Sequence, residues 1–286
     1  LAKQKQLDQQ WAFNSATVMK LPWEQELPLL ERFGWQSVEV WYDKLQAALD
    51  RGMADSPQAM GHRLNDAGIH IVGMCGASVS TLAQREHDHD ERDQWLQRLD
   101  FAAAIGAPGL VGYVIGDADA DLESEYQYLA GKLNGYATQA AERNLTVHLE
   151  FLGQAPINGT LRSAIDLIKR ADHASLGLLF DLCHYYVSAS HLEDLMHLPA
   201  EKLTMVHVDD ARQMPMEELG NADRTFPGEG QMDVPLLLHE LRQRTGYAGP
   251  MSFEIYDQQV WEMAPQAVFE ALDRSITYLE EKAVSS

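Results

Sequence analysis

The feature that most constrains this chain is a rhythm: a short apolar stretch followed by an amphipathic one, repeated along nearly the whole sequence. The apolar stretches are 12–18, 37–41, 69–74, 109–114, 145–151, 176–182, 203–208 and 250–255. Each has the length of a strand and is rich in β-branched, aromatic or leucine residues. Between them, apolar residues recur at three- and four-residue spacing, as with Trp95, Leu99, Ala102 and Ala103 in the stretch 91–105. Segments 123–143, 161–171, 234–244 and 267–282 read the same way. Thr160 is placed to cap one helix, and Asp233 another that carries Pro235 in its first turn. Gly34, Gly68, Gly106 and Gly246 follow helical segments, where a left-handed residue ends the helix.

Strand and helix alternating eight times predict an α/β fold with parallel strands. At 286 residues, eight repeats favour a closed (β/α)8 TIM barrel over an open sheet. An open doubly wound sheet calls for a glycine-rich loop after its first strand, and the stretch 15–20 (SATVMK) has no glycine. No GxxxxGK[ST] phosphate loop occurs either. Without a Pro-rich linker or low-complexity segment, the expectation is a single domain over 1–286, its core about 12–282.

The formal charge of −21 argues against a nucleic-acid partner, because phosphate binding needs clustered Lys and Arg. It leaves room for a small anionic substrate held by a few local arginines. No apolar run reaches the roughly 18 residues of a membrane span. The N-terminal LAKQKQLDQQW has no apolar centre, so no secretory signal is expected there. Two cysteines, Cys75 and Cys183, fit a reducing, cytoplasmic setting better than a disulfide scaffold.

In a parallel barrel the reactive residues lie at the C-terminal ends of the strands. The fifth to eighth stretches end in HLE (148–150), FDLCH (180–184), HVDD (207–210) and FEI (253–255). Four consecutive strands thus present Glu150, Asp181, His207 and Glu254. Strand alternation puts Glu150, His207 and Glu254 on the same side as Thr146, Met205 and Ser252. Three carboxylates converging above a barrel core repel one another, and a divalent cation relieves that repulsion. Carboxylates with one imidazole favour Mn²⁺, with Mg²⁺, Co²⁺ and Zn²⁺ also accommodated. A structural zinc site is not expected, since no cysteine joins the set.

With these pieces in view, the chain resembles the xylose-isomerase-like TIM barrels. That superfamily contains sugar and sugar-phosphate isomerases and epimerases, inosose and 3-dehydroshikimate dehydratases, and the endonuclease IV type of DNA repair enzyme. The resemblance runs from about Phe13 to Leu279 and is carried by HLEF (148–151), FDLCH (180–184), HVDD (207–210), RTFPGEG (224–230) and SFEIY (252–256). It implies one divalent metal held by Glu150, Asp181, His207 and Glu254. It implies that His184 touches a substrate oxygen and that Arg224 lines the same pocket. Glu39 in SVEVW matches an acidic residue of the family, and Arg212 is a further substrate-binding candidate.

The implied chemistry is proton abstraction α to a carbonyl, with Glu150 and Glu254 flanking the carbon and His184 steadying the developing oxyanion. The leading expectation is an isomerase or epimerase of a small sugar, sugar phosphate or keto-polyol. The alternative is a dehydratase of the inosose or dehydroshikimate type using the same site. Relatives are often dimers or tetramers, so a homo-oligomer is compatible. The endonuclease branch draws extra histidines from strands three and four, where this chain has MCGA (74–77) and YVIG (113–116).

Other polar and aromatic residues have ordinary readings. The run His87-Asp88-His89-Asp90 reads as a solvated loop and helix start, His148 as a satisfied core histidine, and Cys183 as packing. Trp41 is equally compatible with an aromatic substrate wall and with core packing, as is Tyr42. Trp261 is similar. Asp209 and Asp210 are open between helix capping, slightly preferred, and support of the site.

Overall fold

Eight strands of the computed structural model, which describes residues 10–117 and 121–283, close into an all-parallel barrel. They are β1 (Trp11–Asn14), β2 (Ser37–Trp41), β3 (His70–Ser80), β4 (Gly109–Ile115), β5 (Thr146–Glu150), β6 (Leu176–Asp181), β7 (Leu203–Val208) and β10 (Met251–Phe253). Around the barrel the order is β1, β10, β7, β6, β5, β4, β3, β2. The closure pairs Phe13 with Phe253 on one side of β1 and Asn14 with Glu39 on the other. A short antiparallel hairpin, β8 (Asp210–Ala211) and β9 (Arg224–Thr225), stands above β7. The fold expected from the alternation is the one observed. The reading of the first nine residues lies outside the described residues.

The helices are α1 (Trp23–Phe33), α2 (Tyr42–Asp50), α3 (Pro57–Asp66), α4 (Asp88–Ile105), α5 (Leu122–Ala141), α6 (Leu161–Ala171), α7 (Leu182–Tyr186), α8 (Val234–Thr245), α9 (Gln258–Trp261) and α10 (Pro265–Ala283). The expected caps form: the Thr160 side chain accepts from Ser163 N and that of Asp233 from Leu236 N. Gly34, Gly106 and Gly246 end α1, α4 and α8 in the left-handed region. Among the described residues, no helix is long and apolar enough to cross a membrane.

The core has two layers. The outer one packs helices on strands, as where Phe13 stacks on Phe269 at 4.7 Å, and helices on one another, as where Trp95 of α4 stacks on Tyr136 of α5 at 4.4 Å. Each such side chain contributes about 1.5–3 kcal/mol by leaving water. The inner layer fills the bore with Cys75, Val111, Leu179 and Met205, and Trp41 and Val72 pack against it. Gly73 makes room for that plug, because a Cβ there would meet Met205 Cε at 2.6 Å. The inward-facing positions one step beyond the plug are Tyr113, Asp181 and His207. The bore is therefore a floor for a polar site at its mouth.

The eighth barrel strand is shorter than the stretch 250–255, and two others differ more from expectation. The first stops at Asn14, whose side chain accepts from Ala16 N and turns Ser15–Val18 into a 3₁₀ helix. The third runs on to Ser80, through Gly76-Ala77-Ser78, whose small side chains carry little hydropathic signal.

Candidate metal centre

Each of the four candidate ligands is placed by the end of a barrel strand. Glu150 is the last residue of β5, Asp181 the last of β6, His207 the next to last of β7, and Glu254 the first after β10. Their ligand atoms lie within 4.8 Å of one another. His207 Nδ1 lies 3.1 Å from Glu150 Oε1, 3.1 Å from Glu254 Oε2 and 3.6 Å from Asp181 Oδ2. Asp181 and His207 are fully buried, whereas Glu150 and Glu254 keep 6% and 5% exposure, and so mark the side open to a ligand.

Asp181 serves two structures at once. Oδ1 accepts from His184 N at 2.6 Å as the N-cap of α7, and Oδ2 takes Arg224 Nη1 at 2.7 Å. The cap fixes the carboxylate and aims His184 from the next turn. The His184 ring accepts from Gly153 N at Nδ1 (3.0 Å), so the neutral imidazole carries its proton on Nε2. Burial pushes His184 down to about 4 against the pull of Asp181, which keeps it neutral near pH 7.

Arg224 reaches the centre from β9. Nη1 donates to Asp181, to Asp209 Oδ2 at 2.6 Å and to Glu254 Oε2 at 3.0 Å. Asn221 accepts from its Nε and Nη2. Burial opposes ionisation of Asp181, but Arg224, His184 and His207 outweigh it and hold its carboxyl well below the usual range. For Glu150 burial prevails over His207, and its carboxyl is pushed up to about 7. Burial likewise works against a charged His207, yet Glu39, Glu254, Asp181 and Glu150 overcome it and raise its pKa well above the usual value.

The donor set, three carboxylates and one imidazole nitrogen pointing at a common spot, fits a hard or borderline divalent ion. Held apart from such an ion, the carboxylates lean on the charges of His207 and Arg224.

The other sequence-derived residues are dispersed. Glu39 is fully buried behind the His207 ring, on its Nε2 side. Arg212 donates from Nε to Asp257 Oδ2 at 2.6 Å, tying the hairpin to the loop after β10. Trp41 faces Tyr256 at 6.5 Å, and Tyr256 meets Trp261 edge-on at 4.8 Å, forming an aromatic row after β2 and β10. Tyr42 turns away instead, against Phe101 and under Arg98. His148 Nδ1 pairs with Thr204 Oγ1 below the site. His87 and His89 are exposed, as expected of a solvated segment.

Asp209 and Asp210 prove to be supports. Asp209 joins Arg224 to Cys183 N, and Asp210 accepts from Gly228 N, Gly230 N and Met232 N. The slight preference for helix capping is half met: Cys183 lies in the first turn of α7, but the three Asp210 bonds organise a loop. Asn14, Cys75 and Asn221 also serve the centre and were not singled out for it; an isolated Asn or Cys carries no motif.

The sequence profile of the xylose isomerase-like TIM barrel matches residues 27–280. The chain belongs to that family. Among curated relatives, 3-dehydroshikimate dehydratase of Pseudomonas aeruginosa is 35% identical over 231 residues, covering 79% of this chain and 36% of that protein. Inosose isomerase of Bacillus velezensis is 24% identical over 263 residues, 89% of this chain and 91% of that protein. The chain spans 36% and 40% of the dehydratases of P. aeruginosa and Pseudomonas putida. In fold, this xylose isomerase-like barrel superposes on the crystal structure of the IOLI protein with a binding zinc atom at a TM-score of 0.86 and 18% identity, covering 96% of this chain and 99% of that one.

Proposed function

We propose that this chain is a divalent-metal-dependent enzyme that abstracts a proton α to the carbonyl of a small polyhydroxy ketone, leading to dehydration or isomerisation. The observation that carries this reading is the convergence of Glu150, Asp181, His207 and Glu254 at the barrel mouth. These four would hold the ion, Mn²⁺ by preference, with Mg²⁺, Co²⁺ or Zn²⁺ as alternatives. The zinc atom of the IOLI protein, in a barrel of the same fold, supports a cation here. Once bound, the cation supplies Lewis-acid polarisation of the substrate carbonyl.

Glu150 and Glu254 approach from β5 and from the end of β10, so they can address opposite faces of one carbon. Burial pushes the Glu150 carboxyl up to about 7 in the metal-free site; a bound cation would favour its carboxylate, the form that takes the proton from carbon. His184 Nε2 lies 3.1 Å from Arg224 Nη2, a contact between two donors when the ring is neutral. A substrate oxygen arriving there accepts from both, which makes this pair the site for a developing oxyanion or a departing hydroxyl. The Trp41–Tyr256–Trp261 row supplies an apolar wall for the carbon face of a sugar or cyclitol.

The 35% identity to 3-dehydroshikimate dehydratase supports dehydration as the first outcome to test. The inosose isomerase relative, matched over 91% of its length, supports isomerisation as the second. The test is incubation of Mn²⁺-loaded protein with 3-dehydroshikimate or an inosose in D₂O. Exchange at the α-carbon is expected under either outcome. Loss of water with new conjugated absorbance identifies a dehydratase, and a product of equal mass identifies an isomerase or epimerase. Absence of exchange with every keto-polyol offered overturns the reading.

A further inference from the structure

The imidazole of His207 is gripped on both edges. Nδ1 faces Glu150, Glu254 and Asp181, while Nε2 lies 3.0 Å from Glu39 Oε2 and 3.2 Å from Oε1. A neutral imidazole has one N–H and one lone pair, so only one edge can bind a cation. The structure has to decide which, and the groups behind Glu39 show how. Glu39 Oε2 also accepts from Asn14 Nδ2 at 2.9 Å, and Oε1 from Cys75 Sγ at 2.8 Å. Asn14 is itself fixed, because its Oδ1 accepts from Ala16 N at 2.8 Å; this leaves only the NH₂ end for Glu39. Asn14 and Glu39 are register partners on β1 and β2, and all four groups are buried. A carboxylate with donors on both oxygens cannot give a proton to His207; it can only take one.

We propose that Glu39 is a positioning residue: by accepting Nε2–H it holds His207 in the tautomer whose Nδ1 lone pair faces Glu150, Asp181 and Glu254. This rests on the proposed metal-dependent function and assigns Glu39 to the ligand ring rather than to substrate. Asn14 and Cys75 complete the support from strands β1 and β3, on the wall away from the other ligands. Such a carboxylate behind a ligating histidine orients the ring and raises its basicity, and its loss lowers metal affinity about 10–100-fold.

The experiment is Mn²⁺ and Zn²⁺ titration of the purified wild-type, Glu39→Ala, Glu39→Gln and Asn14→Ala proteins, with ¹⁵N NMR of the His207 ring in the Zn²⁺-loaded forms. Glu39→Ala is expected to weaken both ions about 10–100-fold and to lose the protected Nε2–H signal. Glu39→Gln retains one acceptor oxygen and is expected to recover much of the loss. Asn14→Ala leaves Glu39 in place and is expected to show a smaller loss, which keeps the test open should Glu39→Ala not fold. Wild-type affinity in Glu39→Ala, or in Asn14→Ala with an unchanged ring signal where Glu39→Ala does not fold, overturns the positioning role while leaving the metal centre standing. A wild-type protein that takes up neither ion overturns the proposed function and this role together.

Discussion

Behind β3, Glu91 accepts from Ser80 N at 2.7 Å, from Lys132 and from Tyr136 OH, while Lys132 also donates to Ser80 O and to Asp88. At the mouth of the barrel, a single nitrogen of Arg224 is shared among carboxylate oxygens of Asp181, Asp209 and Glu254, and one face of His207 meets three acids. Both clusters mix buried acids with a base, although Asp88 at the edge of the first is part-exposed. In the first, each Glu91 oxygen is matched by donors from its own surroundings, and the cluster closes on itself. In the second, acceptors outnumber donors, and burial together with Asp181 pushes Asp209 well above the usual carboxylate range despite Arg224. A buried network that is balanced holds a wall together, whereas one left short of positive charge is prepared for an ion it does not itself supply.

The largest expected difference between the two clusters is in chemistry. Glu254→Gln removes a proposed base from the crowded cluster and is expected to slow α-proton exchange by about 10²–10⁴ without lowering the melting temperature of the metal-free protein. Deuterium incorporation and thermal melting measure the two halves; undiminished exchange rules out the base role. Next is stability. Lys132→Met strands Glu91 and Asp88 and is expected to cost about 3–5 kcal/mol in denaturant unfolding, with metal affinity unchanged. Equal loss of metal binding would mean that the clusters are coupled.

A smaller effect comes from the ion. Mn²⁺ at a hundred times its Kd is expected to stabilise the wild-type protein by about 2.7 kcal/mol and to do far less for Asp181→Asn. The smallest is a pH effect below the site. Burial lowers the His148 pKa to about 4, against the 6.5 of a free histidine. The unfolded chain therefore takes up a proton that the folded one refuses, so stability present above about 6.5 is lost as pH falls toward about 4, on the order of 2 kcal/mol by pH 5. Unfolding curves for wild type and His148→Asn at pH 7 and 5 should show that the variant lacks this component of the loss.

The contrast also marks what could be read in advance. Strand rhythm and strand-end residues are local patterns, so the barrel and the four converging side chains were legible from segments such as 145–151 and 203–208. The resemblance puts Arg224 in the same pocket, but its individual bonds were not legible, because Asp181 and Asp209 lie 43 and 15 residues away and are met only through the β8–β9 hairpin. Short hairpins of two residues a side leave no periodicity. The end of β1 at Asn14 and the length of β3 escaped for the same reason: a side chain bonding to its own backbone and a run of small residues both lack an apolar signature. Glu39 was visible as an acid at a strand end, yet its partner His207 is 168 residues on.

The seam between β1 and β10 joins residues near both ends of the barrel, Phe13 opposite Phe253. Glu254 follows directly on that seam. During synthesis, Asn14 and Glu39 leave the ribosome before the other groups of the centre, and Glu254, the last acid of the ligand set, emerges only after more than two hundred further residues. A nascent chain therefore cannot assemble the complete ring until the last strand docks, and full-strength cation capture would report that the circle of strands has shut.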